Sequence, residues 1–198
     1  MPRGSAVTSV TGLRGRKVAL NKGSNVHYLL VRALENAGVA YADIEPVFLA
    51  PADARAAFER GAIDAWVIWD PYQAAAEAAT GARTLTDGTG LVANHQFYLA
   101  GRPFVADNPE IVDATLAEID ATDRWVEGNA RAVAEALSPQ TGIPAAVLEV
   151  ALGRESFGVR PLDAAVVAEQ QRIADTFFKL GLLPKAIAVA RAVRKAAA

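Results

Sequence analysis

The apolar positions switch between two periods along the first hundred residues. "RKVAL" (16–20) is a short apolar run, the pattern of a strand. From Ser24 or Asn25 to Gly38, Val26, Leu29, Leu30, Ala33 and Ala37 recur at helical spacing on one face, and Gly38 supplies a stop. A second strand is expected over 44–50. Pro46 places it at a sheet edge or delays its start to Val47, because proline cannot donate to a ladder. "PADARAAFERG" reads as a short helix with Pro51 near its start and Gly61 after its end. "AIDAWVIW" (62–69) reads as a third strand and "DPYQAAAEAATG" as a third helix. "ARTL" (82–85) and "HQFYLAG" (95–101) are two further strand candidates. Strand–helix alternation predicts an α/β unit with a largely parallel sheet over residues 1–102. The first dozen residues, rich in Gly, Ser and Thr, read as a lead-in.

Beyond Pro103 the period is helical throughout. "NPEIVDATLAEIDATDRWVEGN" predicts one long amphipathic helix. "NARAVAEAL", "IPAAVLEVAL" and "LDAAVVAEQQRIADTFFKLG" predict three more, broken by Gly or Pro. The tail "KAIAVARAVRKAAA" is expected to be helical or frayed. Residues 103–198 are therefore expected to form a helical C-terminal part.

Composition narrows the function classes. A net charge of -2 gives no general attraction to nucleic acid or to an anionic membrane. Cysteine is absent, which removes disulfides and thiolate chemistry. The N-terminus is polar and lacks the apolar core of a signal peptide. Two histidines without a carboxylate cluster are poor material for a metal site, and no nucleophile–base pair can be argued from the spacing. No catalytic residue, metal or cofactor is expected.

Two places carry candidate chemistry. At residues 21–25 a strand end, a loop with Gly23 and a helix start make an anion-receptive arrangement. The first-turn N–H groups point outward, the helix dipole adds about half a positive charge, and Lys22 adds a full one. Ser24 can donate a hydroxyl; Ser24 or Asn25 can equally be an N-cap. His27, in the first turn, either meets the anion or is solvated. The second place is "WVIWDPY". Trp69 stands at the C-terminal end of its strand, where open α/β sheets bind ligands. Trp66 reads more readily as core. Asp70 with Pro71 reads as a helix-start pair, N-cap then first helical position.

"LRGRKVALNKGSNVHYLLVRALENAG", "IEPVFLAPADARAAFERGAIDAWVIWDPY" and "VRPLDAAVVAEQQRIADTFFKLGLLPK" together resemble the aliphatic sulfonate-binding proteins of bacterial ABC importers. The likeness runs from about residue 2 to about residue 185. Taurine-, nitrate- and thiamine-precursor-binding proteins are similar in outline. The resemblance implies a periplasmic-binding-protein-like α/β fold of two lobes with the ligand between them. The sheet of each lobe is mixed and mostly parallel. This chain would supply the second lobe plus C-terminal helices, and it lacks most of the segment that builds the first. The resemblance carries ligand contact onto Gly23, Ser24, Asn25 and His27, and also onto Trp66, Trp69 and Asp70. It implies a small anionic ligand (an alkanesulfonate), a membrane permease as partner and a periplasmic location. With one wall of the cleft absent, weak binding is expected. The competing expectation is a self-associating homodimer of the lobe, which would cover surface made to meet a partner.

Overall fold

The computed structural model describes residues 1–194. Three parallel strands form one sheet in the order β2–β1–β3, with β1 at Lys17–Leu20, β2 at Glu45–Phe48 and β3 at Ala65–Trp66. The register pairs Lys17 with Glu45 and Leu20 with Phe48 on one side of β1, and Ala19 with Trp66 on the other.

The central strand is buried from Val18 to Leu20 because helices cover both faces. Alternate side chains leave opposite faces of a strand. Val18 and Leu20 accordingly pack with Leu30 and Leu34 of α1 (Asn25–Asn36), and with Met1, Val7, Leu13 and Ile44. Ala19 packs on the other face with Ala54, Ala57 and Phe58 of α2 (Pro51–Glu59). Each fully buried Leu or Phe of these two layers stabilises the fold by about 1.5–3 kcal/mol. α3 (Tyr72–Thr80) packs on α2 and on α7 (Ala145–Leu152). The remaining helices are α4 (Arg102–Asp107), α5 (Pro109–Gly128), α6 (Ala130–Thr141) and α8 (Ala164–Lys179).

Gly38 ends α1 as expected. It adopts a φ of +65°, its N–H donates to the Glu35 carbonyl, and the Val39 N–H reaches back to the Leu34 carbonyl. That double return satisfies two of the helix's free carbonyls. Pro46 lies within β2, which is an edge strand, so the missing N–H costs no inner ladder bond.

Four expectations are corrected. The third strand shrinks from eight residues to Ala65–Trp66. "ARTL" and "HQFYLAG" form no strand: Arg83 exchanges backbone hydrogen bonds with Met1 alone, and 95–101 pairs with no strand among the described residues. The lead-in is part of the core, since Met1, Val7 and Leu13 are buried. α3 begins at Tyr72, after a cis Asp70–Pro71 bond, so Pro71 sits in the cap position rather than the first turn. In the tail, Val189–Ala192 is a short 3-10 turn, and residues 195–198 lie outside the described residues.

Candidate functional site at the strand ends

β1 and β3 are adjacent and parallel, so the chain leaves both at the same edge of the sheet. From β1 it enters the loop 21–24 and then α1. From β3 it passes Trp69 and Asp70 into α3. This is the edge where open α/β sheets hold ligands.

The loop is closed from within. Gly23 turns at a φ of +76°, a conformation that favours glycine. Its N–H donates to His27 Nδ1 at 3.0 Å. The Ser24 hydroxyl donates to the Asn21 carbonyl at 2.7 Å. Ser24 is therefore the N-cap by position, with extended backbone, yet its side chain braces the loop rather than the helix. The carbonyl of Ser24 accepts from the His27 and Tyr28 N–H groups. The N–H groups of Ser24, Asn25 and Val26 have no hydrogen-bond partner among the described residues. They form a donor cluster at the positive end of a twelve-residue helix.

His27 holds this cluster from beneath. It is 2% exposed and lies among Tyr41, Phe48 and Phe177, with ring centroids 5.6–5.8 Å away. Because Nδ1 accepts from Gly23, the proton of the neutral ring sits on Nε2 and donates to Tyr41 Oη at 3.0 Å. Burial, and then the charge of Lys22, push its pKa below the ordinary value. Both ring nitrogens are spent inside the fold, so His27 shapes the loop. Lys22 itself is exposed, with its ammonium 5.2 Å from the centroid of the Phe48 ring.

A strap crosses the start of α1. Asn25 Nδ2 donates to Asn94 Oδ1 at 2.8 Å, and the Ala93 N–H donates to Glu169 Oε1 of α8 at 3.0 Å. Asn94 has a φ of +54°, uncommon outside glycine. Nothing local in "VANHQ" marked Asn94, Glu169 or the Tyr41–His27 contact, because each partner is distant in sequence.

On the β3 side, Trp66 is half-buried and tilted against Phe58 at 5.9 Å, in the α2-facing layer. Trp69 is half-buried and edge-on to Tyr72 at 6.5 Å. Asp70 Oδ1 accepts from the Ala74 N–H at 2.9 Å, which caps α3 from one residue before the cap position. Both Asp70 oxygens lie 3.4 Å from Arg154 Nη1, and Arg154 Nη2 is 2.5 Å from Glu77 Oε2. Burial opposes ionisation of Glu77, but hydrogen bonds from Arg154, Gln73 and Thr84 outweigh it and hold its pKa below the ordinary value. The structure thus brings Ser24, Asn25, Trp69 and Asp70 to one sheet edge. Gly23 is exposed in the loop with its N–H turned to His27, His27 is buried beneath it, and Trp66 lies toward the core.

Comparison with known proteins bears on the family and the fold. The model of the NMT1-like family matches residues 5–138. An aliphatic sulfonates-binding protein of Escherichia coli K12 is 42% identical over 184 residues, which is 92% of this chain and 58% of that protein. The chain therefore spans a little over half the length of that relative. Among solved structures, the periplasmic aliphatic sulphonate binding protein SsuA of E. coli superposes with a TM-score of 0.93 at 39% identity, covering 98% of this chain and 63% of that one. The alkanesulfonate-binding SsuA of Xanthomonas axonopodis pv. citri, bound to MOPS, gives 0.89 at 38% identity, covering 98% and 68%. The α/β architecture with its parallel sheet is that of the SsuA fold, and the chain belongs to the NMT1-like family.

Proposed function

We propose that this chain supplies one wall of an alkanesulfonate site in the substrate-binding component of an ABC importer, working with a membrane permease in the periplasm. The observation that carries the reading is the trio of unpartnered N–H groups at Ser24, Asn25 and Val26. A sulfonate stays ionised near neutral pH and offers three acceptor oxygens, so it can take all three donors without proton exchange. Lys22 adds attraction from the rim, and Trp69 offers aromatic surface to an aliphatic tail. Gly23 and His27 act through the loop. Relatives named as sulfonate-binding proteins, one of them bound to the sulfonate MOPS, support the same ligand class over nitrate. They also support a binding role over an enzymatic one. The desulfurization enzyme DszB shares the fold at 16% identity, which says nothing of chemistry here.

Division of the chain into a lobe at 1–102 and helices at 103–198 belongs to this proposal. A single wall leaves much of a ligand in water, so affinity for MOPS is expected to be weak, with Kd near the millimolar range at about -4 kcal/mol. Titrating the chain with MOPS to millimolar concentration, followed by amide NMR, should shift the resonances of Ser24, Asn25 and Val26. Unmoved resonances there would refute the site, and sub-micromolar binding would refute the single-wall account.

A second reading, a homodimer of this chain, has its own observation. The surface is 12150 Å², whereas a compact monomer of 20.8 kDa exposes about 8,900 Å². The surplus of roughly 3,000 Å² exceeds what each partner of most obligate dimers covers, about 1,000–2,500 Å². Tyr98, Leu99, Phe104, Ile111, Trp125 and Phe178 contribute to it, Leu99 at 91% exposure. A second copy would cover such side chains. Light scattering at tens of micromolar should then give twice the chain mass; a monomer at that concentration removes the reading.

A further inference from the structure

An anionic ligand and Asp70 are a poor match at one sheet edge, and the structure contains the group that reconciles them. We infer that Arg154 is a specificity-determining residue: it offsets part of the charge of Asp70, so that the strand-end wall admits an anion. The inference rests on the anion site proposed above and names a residue, 84 positions along the chain from Asp70, that tunes it.

Asp70 follows Trp69 at the end of the β3 segment, on the edge shared with the α1 donor cluster. Its side chain is 10% exposed, so water screens its charge poorly. One oxygen accepts from the Ala74 N–H, and that bond fixes the carboxylate in place without removing its charge. Arg154, in the turn after α7, faces both Asp70 oxygens with Nη1 and uses Nη2 on Glu77. Glu77 has further donors of its own in Gln73 and Thr84. Those neutral donors leave its charge in place, so Arg154 is shared between two carboxylates and is the counter-charge that Asp70 meets among the described residues. Among the described residues, the titratable or charged groups bonded into this cluster are Asp70 and Glu77 of the α3 end and Arg154 of the α7 end. Take the guanidinium away and a fixed, poorly screened negative charge remains on the wall that a sulfonate must approach. The field of Asp70 would then oppose the positive end of α1.

The test uses the whole chain and MOPS as the probe, with amide NMR titration at low and at physiological salt. Arg154→Gln is expected to weaken binding about fivefold, with the larger loss at low salt, the size of one moderately screened like charge. Asp70→Asn combined with Arg154→Gln should return affinity to within about twofold of the unmodified chain, because the repelling charge is gone. Arg154→Lys, which keeps the positive charge, should bind as the unmodified chain does. If Arg154→Gln does not fold, the lysine and double variants decide, and both are expected to bind. The inference is overturned if Arg154→Gln binds normally, if the double variant stays as weak as Arg154→Gln, or if Arg154→Lys is equally weak. Each of those leaves the anion site standing. Failure of the unmodified chain to bind MOPS would instead overturn the anion site and this inference with it.

Discussion

Replacing Asn25 by proline is expected to abolish detectable alkanesulfonate binding while leaving the fold intact. Asn25 is the first residue of α1, the one helical position where proline is favoured. Ser24 before it already has φ -93° and ψ 176°, the extended conformation that a following proline demands. The N–H that proline removes has no partner among the described residues, so no structural bond is lost with it. What disappears is the middle donor of the three. A hydrogen bond to a charged group contributes about 1.5–3 kcal/mol, which corresponds to a loss of roughly tenfold to a hundredfold. Starting from a weak site, that takes binding below detection. Asn25→Ala separates the two roles of the residue. It keeps the N–H but breaks the side-chain link to Asn94 at 2.8 Å, and it should cost far less. MOPS affinities of the two variants within threefold of each other would show that the backbone donor does not matter.

The second large effect concerns stability. His27→Ala should lower unfolding free energy by about 3 kcal/mol, since it opens a buried cavity and orphans two polar groups, the Gly23 N–H and the Tyr41 hydroxyl. The same residue gives the fold an acid limit. Burial, with Lys22, depresses the native pKa of His27, whereas the unfolded chain keeps the ordinary value of 6.5. Above 6.5 both states are neutral and the full contribution is present. Below it the unfolded chain takes a proton that the native ring refuses, so stability falls as pH drops toward the native pKa. Urea midpoints measured at pH 7.5 and 5.5 should show that fall in the unmodified chain and a smaller one in His27→Ala. Equal falls in both would place the acid sensitivity elsewhere.

Much of the fold could be read directly from the chain. Apolar period and glycine position located β1, α1 and α2 to within a residue or two, because each of these elements is decided locally: by Val18–Leu20, by the Gly38 stop, and by Pro51 and Gly61. The failures were non-local. "HQFYLAG" has strand composition, but a strand exists only against a neighbour, and this segment pairs with no strand among the described residues. Met1 and Val7 looked like a tail because nothing in their own segment reveals that α1 and β1 leave room for them. At the candidate site, the loop 21–25 and the tryptophan segment were visible as strand-end features. The direction in which side chains spend their hydrogen bonds was not. Ser24 braces the loop, His27 turns inward to Tyr41, and Asp70 is met by an arginine that sequence separation hides among other surface arginines.

The position of β1 in the middle of the sheet also sets an order of events. Both of its neighbours come later in the chain, β2 about thirty residues on and β3 about fifty. During synthesis the most apolar strand of the sheet therefore emerges first and waits with both edges bare. At 5–20 residues per second that wait lasts on the order of several seconds. For that interval α1, which follows β1 directly, and Met1, Val7 and Leu13, which precede it, are at hand to cover Val18 and Leu20. The amphipathic helix next to the loop thus doubles as a local cover for the strand's apolar face until the two parallel partners arrive.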